Sequence, residues 1–140
     1  MSKELWKKIR DCPFYRVSNL GRVKSLPRMV VNCTGKYLWL RGRLLKPGGK
    51  NRNWYLVVVI YGKTRNVHQL VAEAFLPPRP PGCEINHKNG KKWDCRASNL
   101  EWKTHKQNMI HSVETGLRKR FVVKSRNIDI RNPYYVKRVV

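Results

Sequence analysis

Acidic residues are scarce in this chain: 8 Asp and Glu stand against 31 Lys and Arg among 140 residues, a formal charge of +23. A folded chain with that imbalance repels itself unless something anionic neutralises it, so nucleic acid is the expected partner. Charge alone does not separate an enzyme acting on nucleic acid from a basic RNA-associated structural protein. Cysteines are also few. Cys12, Cys33, Cys83 and Cys95 lie far apart with no C-x-x-C pair, which excludes a standard zinc knuckle. They read as free thiols of a reducing cytosol, small buried or half-buried side chains. A Cys/Cys/His zinc site stays open only because Cys83 and Cys95 bracket His87. Long apolar runs are missing: the N-terminus, Met-Ser-Lys-Glu-Leu-Trp-Lys-Lys, has no signal-peptide core, and no stretch approaches the roughly 20 apolar residues of a membrane span. A soluble, cytoplasmic protein is the expectation. No internal repeat is visible, and no zipper-like heptad favours a dimer, so a monomer stays open.

The length suits one compact unit with a modest core. Residues 14–26, Phe-Tyr-Arg-Val-Ser-Asn-Leu-Gly-Arg-Val-Lys-Ser-Leu, read as two short strands around a turn at Ser18 to Gly21. A second extended piece, Tyr37 to Leu45, ends at Lys-Pro-Gly-Gly-Lys, a loop signal. Trp54 to Tyr61 is rich in Val, Ile and Tyr and is expected as a strand of the main sheet, closed by Gly62-Lys63. The period then changes. Val67, Leu70, Val71, Ala74 and Phe75 recur at helical spacing, predicting a short amphipathic helix over 67–76 that Pro77 and Pro78 end. Next come a strand at Cys83 to His87, a polar loop at Lys88 to Ser98, a strand at Asn99 to Lys103, and a helix. That helix starts with the capping-box spacing of Thr104 and Gln107 and stops at Gly116. Trp54, Trp93 and Trp102 read as core or loop anchors, with Trp93 the most exposed by context, and His68 as a structural hydrogen-bonding residue.

Three motifs in order carry a resemblance: Trp6 to Ser25; Val67-His68-Gln69-Leu70-Val71-Ala72; and Glu84-Ile85-Asn86-His87-Lys88-Asn89-Gly90 followed by Ser98-Asn99-Leu100-Glu101-Trp102 and Asn108. The last resembles the ββα-metal finger of HNH nucleases, more narrowly the phage and intron-encoded homing endonuclease branch. The first is similar to the N-terminal module that often precedes that finger. The resemblance implies an α+β fold: a small N-terminal β-rich, DNA-contacting module at residues 1–66, a short helix plus finger at 67–116, and a basic tail at 117–140 that reads as an arm on nucleic acid. It also implies a phage-encoded protein in a bacterial cytoplasm.

Phosphodiester hydrolysis needs a deprotonated water, a centre that steadies the leaving oxygen, and positive charge around the phosphate. The resemblance implies that His87 is the general base and that Asn99 holds it by bonding backbone across the loop. Asn86 and Asn108 would be ligands of one divalent cation, Mg²⁺ or Mn²⁺ before Zn²⁺. Many members carry Asp where this chain has Asn86, a neutral amide with weaker pull on Mg²⁺. The finger holds only Glu84, Asp94, Glu101 and Glu114 as carboxylates, so one metal is a simpler reading than two, with His105 and His111 in reserve. Arg22, Lys24, Arg41 and Arg43 are candidate phosphate contacts on duplex DNA by charge and strand position. The rival reading is a non-catalytic, basic nucleic-acid-binding protein that keeps the finger fold. With this charge, affinity for duplex DNA is expected to fall steeply between low and moderate ionic strength through counterion release. Fluorescence anisotropy across a salt series checks it, and a flat profile contradicts a phosphate-dominated interface.

Overall fold

A computed structural model describes residues 3–48 and 54–117; the basic tail from residue 118 on lies outside them. Strand β1 (Trp6–Ile9) and strand β2 (Cys12–Ser18) form an antiparallel hairpin, with Asp11 in its turn at φ 60°, a conformation Asp tolerates. Strand β3 (Val23–Ser25) returns after the Ser18 to Gly21 turn, setting Val17 opposite Val23 and Arg16 opposite Lys24. Alternation sorts the two faces: Tyr15, Val17 and Val23 are buried, while Arg16 and Lys24 stay partly in solvent.

The chain then leaves the sheet for a separate antiparallel ribbon, β4 (Arg28–Val31) with β5 (Tyr37–Leu40), before β6 (Arg43–Leu45) pairs with β3. The expected single piece from Tyr37 to Leu45 is therefore two strands in two sheets. Gly42 is the reason it can divide, since a Cβ there would stand 2.8 Å from the Ser25 carbonyl oxygen and 2.9 Å from the Pro27 ring. Met29, Val31, Tyr37 and Trp39 project from the ribbon into solvent.

Strand β7 (Val57–Ile60) differs from expectation in a second way. Among the described residues it pairs with β8 (Lys63–Asn66) alone and does not join the four-stranded sheet. Tyr61 and Gly62 both have positive φ, 49° and 73°, which makes the tight turn that returns the chain at once. Val58 and Ile60 still reach the core, by packing and not by a ladder. Trp54 and Trp93 are exposed, outside the core, as the context of Trp93 suggests; Trp102 is half-buried and donates Nε1–H to the Pro77 carbonyl at 2.9 Å.

Helix α1 (Val67–Phe75) buries Val67, Leu70 and Val71 of the predicted stripe together with His68 and Ala72, while Ala74 and Phe75, at the end of that stripe, are half-buried against the core. One apolar cluster joins Ile9, Val17 and Val23 of the first sheet to Val58, Ile60, Val67, Leu70, Val71 and Leu100. Strand β9 (Cys83–His87) and strand β10 (Leu100–Thr104) form the second half's ladder, with a 3₁₀ turn at Ala97–Asn99 before β10. Helix α2 (His105–Glu114) follows, and Thr104 and Gln107 close a complete capping box.

The two halves also meet through the Ser18 to Gly21 turn. Ala97 N–H donates to the Asn19 carbonyl at 2.8 Å, and a Cβ on Gly21, at φ 81°, would lie 3.1 Å from Cys95 Cβ. Gly35 has a similar φ of 78° with nothing within 4 Å. Gly21→Ala is therefore expected to cost about 2 kcal/mol, backbone strain plus crowding, and Gly35→Ala only about 1 kcal/mol. Urea unfolding of both variants measures the difference; equal losses would remove the crowding argument.

Candidate active site

The β9–β10 ladder places Asn86 opposite Glu101 and His87 opposite Leu100. Asn86 Nδ2 donates to Glu101 Oε1 at 2.8 Å, and Lys103 approaches the same oxygen at 2.9 Å. From α2, Asn108 Nδ2 donates to Glu84 Oε2 at 3.4 Å, while His105 Nδ1 lies 3.2 Å from Glu84 Oε1. A carboxylate only accepts, so both amides turn their nitrogens to it and keep their carbonyl oxygens for other partners. Asn86, His87 and Asn108 line one cleft of about 300 Å³, together with Tyr55, Lys92 and His111.

Asn99 does not line that cleft. Its Oδ1 accepts from Asn89 N–H at 3.1 Å, and its Nδ2 donates to Asn89 Oδ1 at 3.0 Å and to the Asp94 carbonyl at 2.8 Å. Lys88 N–H, next to His87, donates to the Asn99 carbonyl at 2.9 Å. The loop from Lys88 to Ser98 is thus gathered around one buried amide. Asp94 is fixed in turn by Asn89 Nδ2 at 2.8 Å and by the Arg96 guanidinium, which, with that second bond, holds its carboxyl down at about 2.

His87 is nine-tenths enclosed, and burial lowers its pKa, opposed by Asp94 and aided by Lys92. Its neighbour is a residue that sequence reasoning placed outside the site. The His68 ring lies 5.4 Å from the His87 ring, centroid to centroid, and Tyr55 packs 4.4 Å from His68 and 5.9 Å from His87. Burial pushes the His68 pKa down to about 4. The signal was present: His68 stands three and four residues before Val71 and Ala72, on the apolar stripe of α1. Of the reserve ligands, His111 Nε2 lies 3.1 Å from the Lys88 carbonyl and lines the cleft. Among the described residues no three His, Cys, Asp or Glu side chains converge on a point, so the Cys83, Cys95 and His87 zinc alternative has no geometry behind it.

The candidate phosphate contacts divide. Arg22 is held on Glu4 by both guanidinium arms, its Nε at 2.8 Å, so its charge is already engaged, and it lies in the turn before β3. Lys24, on β3, sits with Nζ 4.1 Å from the Trp6 ring centre. Arg41, between β5 and β6, and Arg43, on β6, are exposed. No helix among the described residues is long and apolar enough to cross a membrane.

A family profile described as HNH endonuclease matches residues 65–110, and a NUMOD4 motif matches residues 4–61. The chain is 32% identical over 132 residues to an uncharacterized HNH endonuclease of Acanthamoeba polyphaga mimivirus, covering 92% of this chain and 36% of that protein. It is 33% identical over 114 residues to the DNA endonuclease I-HmuI of Bacillus phage SP01, covering 79% of this chain and 59% of that one. The solved structure concerned with DNA binding and cleavage by the HNH homing endonuclease I-HmuI aligns with a TM-score of 0.62 at 30% identity, over 82% of this chain and 61% of that chain. The chain thus spans less than two thirds of the length of these relatives.

The buried histidines carry a pH dependence whose sign can be worked out. His68 is neutral when folded down to about pH 4, whereas the unfolded chain takes up the proton near pH 6.5. Between those values the unfolded state binds more protons, so stability falls as pH drops, by up to about 1.4 kcal/mol per pH unit for one group. The lowered pKa of His87 acts with the same sign, and the loss from Asp94 comes only below its unfolded value, toward pH 2. Unfolding free energies between pH 7 and 4 test this: His68→Phe is expected to flatten the profile, and an unchanged slope removes His68 as its source.

Proposed function

This chain carries an HNH endonuclease domain behind a NUMOD4 motif, in an α+β fold, and on that premise we propose that it is a divalent-metal-dependent endonuclease hydrolysing phosphodiester bonds of duplex DNA. The observation that carries the reading is the convergence in one cleft of His87 and Asn86, at the end of β9, with Asn108 from a helix beyond the following strand. The DNA partner is carried over from I-HmuI, whose structure concerns DNA binding and cleavage, and agrees with the +23 charge.

The donor set fits a hard cation. Asn86 and Asn108 would hold it through their Oδ1 atoms, since their nitrogens are tied to Glu101 and Glu84. Neutral amide oxygens suit Mg²⁺ or Mn²⁺ with water and phosphate completing the shell better than they suit Zn²⁺. When bound, the cation supplies charge neutralisation to the phosphate and to the departing ester oxygen. His87 does the proton chemistry. Burial keeps its imidazole neutral at pH 7, so it takes a proton from water as the oxygen attacks phosphorus and the bond to the leaving oxygen breaks. Lys92 lines the same cleft, where its positive charge would face the phosphate. Asn99 acts on the geometry alone, through the loop it gathers. Lys24, Arg41 and Arg43, with Arg22 tied to Glu4, would grip the backbone away from the cut.

His87→Ala is expected to lower cleavage at least about 100-fold while DNA affinity in EDTA stays near the parent value, because the base serves the transition state and the basic surface serves binding. A labelled duplex with and without EDTA reads both; retained binding with no cleavage by the parent selects the non-catalytic binder. Asn86→Asp adds a carboxylate to the cation and should lower the Mg²⁺ concentration for half-maximal cleavage, and Asn108→Ala should raise it. The effects should not add in the double variant. An unmoved requirement in Asn86→Asp takes Asn86 out of the ligand set.

A further inference from the structure

Behind the cleft, His68 and His87 each carry one ring nitrogen that is enclosed by protein and without a hydrogen-bond partner among the described residues: Nδ1 of His68 and Nε2 of His87. The residues are 7% and 6% exposed, and their rings stand 5.4 Å apart at 63°. An enclosed polar atom left unbonded costs on the order of 1–3 kcal/mol, and a donor beside an acceptor removes both costs together. Imidazoles hydrogen-bonded head-on have centroids about 5 Å apart, so a small rotation, or one intervening water, joins these two.

Only one proton arrangement agrees with the chemistry of the cleft. His87 lines the cleft while its Nε2 is enclosed, so Nδ1 is the nitrogen that a water there can reach. To accept a proton, Nδ1 must be bare, and neutral imidazole then carries its hydrogen on Nε2. That hydrogen needs an acceptor, and His68 Nδ1 is the enclosed acceptor beside it. His68 completes the arrangement with its own hydrogen on Nε2, the tautomer that leaves Nδ1 an acceptor. Tyr55, against both rings, limits their rotation.

We infer that His68 is a positioning residue that accepts the Nε2–H hydrogen bond of His87, directly or through one water, and so fixes the tautomer in which His87 Nδ1 faces the cleft as a base. The inference rests on the reading of His87 as general base. It is tested on the full chain without metal by ¹⁵N resonances of the histidine rings at neutral pH, together with cleavage kinetics in Mg²⁺. In the parent, His87 is expected as the Nε2–H tautomer. His68→Phe should lose that preference and slow turnover about 10- to 100-fold, with KM for DNA and affinity in EDTA unchanged. His68→Asn, whose Oδ1 restores an acceptor close to the same place, should recover the tautomer and most of the rate. A parent His87 protonated mainly on Nδ1 overturns the inference without any variant, as does a His68→Phe protein that keeps both tautomer and rate. Parental cleavage by His87→Ala overturns the base assignment instead, so the two failures are distinguishable.

Discussion

A ladder of two strands, five residues each, does not hold its own shape in water, yet His87 and Asn86 sit at the end of one. The Asn99 carboxamide is what makes the arrangement rigid. With three hydrogen bonds it ties Asn89 and the Asp94 carbonyl to the start of β10, and the Asn99 backbone carbonyl takes the amide just after His87. Against this clasp leans the Ser18 to Gly21 turn of the first sheet, through Asn19 and the close approach of Gly21 to Cys95. The N-terminal sheet thus buttresses the loop behind His87 as well as carrying basic residues.

Much of this was legible in sequence because the relevant signals are local. The α1 stripe, the capping box at Thr104 and Gln107, and the strands on either side of the Lys88 to Ser98 loop all depend on residues within a few positions of each other. The clustering of Asn86, His87 and Asn108 followed from the motif's order. What sequence missed depends on contacts between distant segments. The split of Tyr37 to Leu45 turns on a steric meeting of Gly42 with Ser25 and Pro27. The isolation of β7 from the main sheet turns on the two left-handed residues after it. For His68, one histidine on a helix says nothing of the second ring it meets nineteen positions later in the chain.

The scarcity of acids acquires a meaning in the fold. Of the eight, Glu4 holds Arg22, Asp94 holds Arg96 and Asn89, Glu101 takes the Asn86 amide, and Glu84 takes the Asn108 amide and lies against the His105 ring nitrogen Nδ1. Two of them, Glu101 and Glu84, take the amide nitrogens of Asn86 and Asn108 and so turn both amide oxygens away from themselves.

Helix α2 has no fully buried residue. It is held by its capping box, by the Glu84 contacts, by His111 on the Lys88 carbonyl, and by Leu117 against Gly90. Such a segment can lift away at a free-energy cost well below that of unfolding the core. Asn108 travels with it, so the cleft it shares with Asn86 and His87 is complete only in the docked fraction of molecules. Its opening dismantles the cleft while the sheets and α1 stand intact.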